Sequence, residues 1–221
     1  MAILDPIKPT ILATRLIPNV ERSFAVKLGL RDDQRSLALV TCDIDDSLYT
    51  ALDEATKMAE VEVVYAQSFY AGSAHASGPL SGEIIGILAG PSAAEARAGL
   101  VACVAYACDK AWFHAADDAG DLAFFAHPIS RTGSYLSKAA DVAQGTPLAY
   151  LIAPPLEATY ALDIALKSAD VELKVWFPPP SETNFSGGYL VGSQSAVVAA
   201  CNAFRDAVLE VAAQPLEVTH V

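Results

Sequence analysis

Of the 221 residues, 53% are apolar and only 18% are charged, a balance that leaves more apolar surface than two small cores need and points to assembly. The net charge of −12, with no Lys/Arg cluster to displace counterions from a phosphate backbone, argues against nucleic acid as a partner. The opening MAILDPIKPT has no basic segment leading into an apolar run, and no stretch approaches the roughly 18–20 uncharged apolar residues that span a bilayer, so neither export nor membrane insertion is expected.

In chain order, Thr10 to Ile17 is rich in β-formers and Pro18 to Leu28 has a helical pattern, followed by a strand at Ser36 to Cys42. An acidic turn then leads into ALDEATKMAEVEVVY (Ala51 to Tyr65), where Leu52, Ala55 and Ala59 recur at helical spacing before a strand at Glu60 to Gln67. A Gly/Ser-rich loop, Gly72 to Gly82, separates that strand from another at Glu83 to Ala89, and a helix runs from Ser92 to about Cys108. The same order then returns. Strand and helix patterns at Leu122 to Ser130 and Arg131 to Ala140 precede a strand at Pro147 to Ala153, and Ala161 to Val175 reads ALDIALKSADVELKV. Eight of its fifteen positions match Ala51 to Tyr65, where chance would give roughly one or two.

Upstream, Ser23-Phe24 matches Ser134-Tyr135 and Leu37-Ala38 matches Leu148-Ala149. Downstream come a strand at Asp170 to Pro178, a shorter loop, a strand at Gly187 to Val191, and a last helix striped by Val197, Ala200, Cys201, Phe204, Val208 and Val211. Each half therefore reads β-α-β-α-β-β-α, an α/β (α+β) sandwich with helices on one sheet face, with domains expected at residues 1–110 and 111–221. The four cysteines lie in apolar runs without a CxxC pair, and are expected as buried thiols.

The residues with chemical potential are acidic. Asp45-Asp46 follows a strand and precedes a helix expected to begin near Ser47, where an Asp serves as N-cap. The same two carboxylates, with Glu83 at a strand start and Trp112-Phe113 at the junction of the halves, also suit a small primary ammonium through charge-assisted hydrogen bonds and cation-π attraction. Glu157 falls opposite Asp46 in the repeat and is a candidate pore-lining or helix-terminus acid. PPPSETNF (Pro178 to Phe185) enters a polar turn.

The Gly72 to Gly82 loop contains His75 and lacks the Lys-Ser/Thr of a phosphate-binding loop. His114 with Asp117, Asp118 and Asp121 reads as a solvated loop rather than a metal site, and nucleophile elbows, HExxH and metal-spaced Cys/His sets are absent from the sequence. Neither an enzyme nor a metal or cofactor site is expected. A soluble regulator that binds a small molecule with duplicated α/β domains is the alternative to a structural protein.

Several long stretches, DIDDSLYTALDEATK, ISRTGSYLS, LIAPPLEATY, LKSADVEL and PPPSETNFS, closely resemble the tandem-domain shell-protein family of ethanolamine-utilisation bacterial microcompartments, the EutL type, over essentially the whole chain. That resemblance implies two tandem, circularly permuted microcompartment domains and a homotrimer whose six similar wedges imitate a hexagon, set among other shell proteins in a microcompartment of the cytoplasm. It also implies small pores, one within each subunit between its halves, that bind or pass ethanolamine, with Asp45, Asp46, Glu83, Phe113 and Thr183 as binding residues. Glu157, Glu182, Asn184, Phe185 and His75 become pore-lining candidates, and the Gly72 to Gly82 loop becomes a gate of a central pore for larger metabolites or cofactors.

Overall fold

The computed structural model describes residues 1–69, 83–179 and 185–216. Its elements, in chain order, are β1 (Pro6–Ile7), β2 (Ile11–Ile17), α1 (Arg22–Lys27), β3 (Ser36–Cys42), α2 (Asp45–Met58), β4 (Glu62–Phe69), β5 (Glu83–Gly90) and α3 (Ala93–Asp109). They continue with β6 (Phe113–Ala115), β7 (Ala123–Ile129), α4 (Ser134–Ala139), β8 (Leu148–Ala153), α5 (Pro155–Ser168), β9 (Val171–Phe177), β10 (Ser186–Gly192) and α6 (Gln194–Ala213). Every element expected from the sequence is present within a few residues of its expected ends. β1 and β6 were not expected, because strands of two and three residues are too short to show a period of two.

Two compact units are formed, and the chain interleaves between them. One comprises Lys8–Trp112 together with Thr132–Ala139. Its antiparallel sheet has the order β2-β3-β5-β4, and Ala38, Val40, Ile84 and Leu88 pack against Leu48, Ala51, Leu52 and Ala55 of α2 and Leu100 and Cys103 of α3. On the opposite sheet face Leu37, Ile87 and Ala89 are covered by Ile17, Val20, Leu28 and Leu30. Alternate residues of β3 thus serve two cores, which is why its sequence is apolar almost throughout.

The other unit comprises Met1–Ile7, Phe113–Arg131 and the chain from Ala140 onward. Its sheet order is β1-β6-β7-β8-β10-β9, with β1 and β6 joined through Pro6↔His114 and Ile7↔Phe113. Ala149, Leu151 and Ala153 face Ala158, Ala161, Leu162 and Ala165 of α5 and Val197, Cys201 and Phe204 of α6. Tyr150 points to the other face, where it meets Phe125 and Tyr189 edge-on at 5.4 and 4.6 Å.

The repeat is visible element by element. α2 and α5 both have fourteen residues, and their Ala/Leu faces match. Asp43-Ile44 connects β3 to α2, whereas Pro154 alone connects β8 to α5, with Pro155 in the first helical turn where its missing N–H costs nothing. This one-residue difference shifts the register, so Glu157 stands opposite Ser47, not opposite Asp46 as the sequence alignment suggested.

All four cysteines are free, with Cys42, Cys103 and Cys201 buried and Cys108 half-buried. Burial pushes the Cys42 and Cys201 thiols up to about 12, and Tyr49 and Tyr106 likewise to about 12. Since these folded-state values lie above the ordinary ones, the stability these groups contribute is complete below about pH 9 and is lost as pH rises toward 12, where the unfolded chain ionises first. Urea melts are expected to show a steep fall in stability above about pH 9. A thiol reagent at pH 8 should modify Cys108 alone before unfolding, and rapid reaction at two or more thiols in the native protein would contradict this packing.

Candidate functional site, an acidic end of the four-stranded sheet

The antiparallel register brings four segments to one end of the sheet. Cys42 at the end of β3 and Ser68 near the end of β4 both sit opposite Ile84, and Glu83 opens β5 across from Phe69. Only two residues separate α2 from β3, so its first turn lies at the same end. Asp45, Asp46, Ser47, Ser68 and Glu83 are thereby gathered within one unit, each less than a tenth exposed.

The helix begins at Asp45 rather than near Ser47. Its N-cap is Ile44, which makes no side-chain cap bond, so the capping role expected for the Asp pair is replaced by a place in the first turn. There the positive end of the helix dipole favours both carboxylates. Asp45 Oδ1 accepts from its neighbour's Asp46 N–H at 2.9 Å, and Asp45 Oδ2 accepts from Ser68 Oγ at 2.7 Å. Because the Ser68 hydroxyl proton is committed to Asp45, the Tyr49 hydroxyl donates to Ser68 Oγ at 2.9 Å, while Ser68 N–H donates to Tyr49 OH at 3.1 Å. Burial, reinforced by the negative charge of Asp45 and Asp46 but relieved by the bonds to Ser68, raises the Tyr49 phenol and keeps this relay protonated.

Glu83 Oε2 and Ser47 Oγ differ from these groups. Both are buried and, among the described residues, have no hydrogen-bond partner. An orphaned carboxylate oxygen is costly, and the group that relieves it is a donor or a cation. Ser47, Ser68 and Tyr49 were not singled out from the sequence. Tyr49 falls one turn after Asp45 on α2, a spacing that places both on one side of the helix, but the pairing of Ser68 with them depends on sheet register.

The other expected residues fall as follows. Phe113 belongs to the second unit and is fully buried there, 5.1 Å from Phe125 and 6.0 Å from Phe185 between ring centroids. Phe185 is 6% exposed. Glu157 is half-buried in the first turn of α5. Thr183, Glu182, Asn184, His75 and the Gly72 to Gly82 loop lie outside the described residues. Trp112, expected beside Phe113 around an ammonium, carries Lys8 Nζ at 4.2 Å from its ring centroid, and its indole N–H donates to the Cys108 carbonyl at 2.8 Å. Asp117 closes its own turn by accepting from the N–H groups of Gly120 and Asp121, and His114 stacks on Phe124. Among the described residues no three His, Cys, Asp or Glu side chains come together as metal ligands do. No helix there is long and apolar enough to cross a membrane.

No family model matches the chain. It is 55% identical over 217 residues, 98% of its own length and 99% of the relative's, to the bacterial microcompartment shell protein EutL of Escherichia coli. It superimposes on the crystal structure of the ethanolamine utilization protein EutL from Leptotrichia buccalis with a TM-score of 0.93 at 56% identity, covering 99% of this chain and all of that one. A trimeric bacterial microcompartment shell protein, PduB, shares the fold alone, with a TM-score of 0.74 at 19% identity over 92% of this chain and 89% of that one.

The duplicated α/β sandwich is thus the fold of tandem-domain microcompartment shell proteins, and its role is structural rather than enzymatic. Within that class, the chain belongs to the EutL family of bacterial microcompartment shell proteins.

Proposed function

We propose that three copies of the chain close into a flat tile of pseudohexagonal outline, each copy supplying two shell domains (residues 1–110 and 111–221) as two of six similar wedges. Such a tile paves the microcompartment shell beside other shell proteins. Closed cyclic symmetry suits a duplicated chain because six near-equivalent edges are needed and three chains can supply them. The surplus of apolar over charged residues fits edges buried between wedges.

The acidic sheet end is the ethanolamine site. Asp45, Asp46 and Glu83 hold the ammonium, and Phe113 and Thr183 belong to the same binding set by likeness to the family. Glu157, Glu182, Asn184, Phe185 and His75 are assigned to pore linings, and the Gly72 to Gly82 loop to the gate of a central opening for larger metabolites or cofactors. The observation that carries the site is the buried Glu83 Oε2, unpartnered among the described residues, at the same sheet end as two further buried carboxylates. An ammonium supplies three donors and the compensating charge that such an oxygen needs.

Calorimetry tests this directly. Asp45→Ala combined with Glu83→Ala is expected to weaken ethanolamine binding at least about 100-fold, the loss of two charged hydrogen bonds. Unchanged far-UV circular dichroism would show that the fold persists, and unchanged affinity in a folded variant would rule the site out. Electron microscopy of purified protein for sheets or hexagonal arrays separates a shell tile from a soluble regulator.

A further inference from the structure

α2 and α5 bury the same inner row, Leu48, Ala51, Leu52 and Ala55 against Ala158, Ala161, Leu162 and Ala165. α2 also buries a second row, Asp46, Thr50 and Asp53, at 6%, 2% and 0% exposure. The corresponding row of α5 is open, with Leu156 63% and Tyr160 40% exposed and the Asp163 side chain 57% exposed. Two copies of one helix therefore differ in whether their outer face is covered.

The cover over the Asp53 end of α2 is the segment Thr132–Ala139, which packs on α2 and β4 within one unit. Asp53 accepts from the Gly133 and Leu136 N–H groups at 2.7 and 2.8 Å, and Thr56 Oγ1 accepts from Ser134 N–H at 3.0 Å. The Tyr135 ring stacks on Tyr49 at 6.1 Å, and Leu136 and Ser137 are buried. In the repeat, the counterpart of α4 is α1, with Ser23-Phe24 matching Ser134-Tyr135. Yet α1 buries none of its residues, and Phe24 and Val26 are 43% and 71% exposed. One chain thus contains a docked helix on its receptor, an undocked helix, and a vacant receptor.

We propose that α1 of one copy docks onto the outer face of α5 and the edge strand β9 of a second copy, as α4 docks onto α2 and β4 within a chain. Phe24 takes the place of Tyr135 and lies over Thr159, the counterpart of Tyr49, beside Leu173, the counterpart of Val63 and 36% exposed. The occupant is a second copy because both partners stay exposed within the single chain and the repeat specifies which segment matches which face. Each copy offers one helix and one receptor, a heterologous contact that propagates around a ring. This inference rests on the trimeric reading and names the contact that closes it.

The full-length Phe24→Cys/Thr159→Cys variant, made on a Cys108→Ser background and oxidised mildly, is expected to give a ladder of two and three linked chains on a non-reducing gel. Phe24→Asp/Val26→Asp should weaken assembly at least tenfold by mass photometry while the circular dichroism stays unchanged, because α1 buries nothing in the single chain. A band of one chain closed on itself, or no linkage with the Asp variant still trimeric, overturns the docking contact and leaves the trimer standing. A wild-type protein that runs as a monomer at micromolar concentration overturns the trimeric reading itself.

Discussion

Asp53→Ala is expected to cost about 3–5 kcal/mol of stability, because it removes a buried acceptor from two backbone donors at once. The Asp53 side chain is 1% exposed and accepts from Gly133 and Leu136, while Lys57 Nζ lies 3.6 Å from it in a site only 13% exposed. After truncation both N–H groups are left buried without their partner. The loss should appear first in hydrogen exchange, with the amides of 132–139 losing protection before those of β3 and β5. The sequence copy, Asp163, pairs with Lys167 on an exposed helix face, a type of ion pair worth under about 1 kcal/mol. An Asp53→Ala protein with unchanged melting temperature and unchanged exchange at 132–139 would refute the role given to this carboxylate.

Gly187→Ala should be at least as damaging, at about 3 kcal/mol or more, for a steric reason. Gly187 sits in β10 opposite Ile152 of β8, and a Cβ added there would come within 1.8 Å of the Leu151 carbonyl oxygen and 2.8 Å of its carbon. Both are backbone atoms in an interior strand, so relief requires the two strands to part. Gly29 provides the comparison. Its φ is +67°, but nothing lies within 4 Å of an added Cβ, so Gly29→Ala meets only the left-handed backbone penalty of about 1 kcal/mol. Thermal melts of the two variants should differ accordingly, and equal melting temperatures would remove the close-approach argument.

Much of this architecture is legible in the chain. The inner rows of α2 and α5 are spaced for a helix that rests on a sheet, and eight identities over the fifteen residues from Ala51 and from Ala161 mark a duplication before any coordinates are known. Asp45, Asp46 and Glu83 are acids at strand and helix boundaries, which is enough to single them out. Their burial is not legible, nor is the orphaned oxygen of Glu83, since both depend on which strands lie beside one another. The Ser68 hydroxyl illustrates this, because it reaches Asp45 only through the pairing of β4 with β5.

The sequence by itself determined every element except the short strands β1 and β6, together with the order of the rest, the duplication and the family, because hydrophobic periodicity and identity between copies are local properties that survive in a linear string. Only the tertiary structure decided that Thr132–Ala139 joins the unit of first-half residues and Met1–Ile7 the other, and that Asp53 is buried while Asp163 is exposed. The physical reason is that these outcomes follow from which distant faces exclude water together. Two helices with the same local pattern acquire different surroundings when one of them finds a donor of N–H groups to cover its outer face.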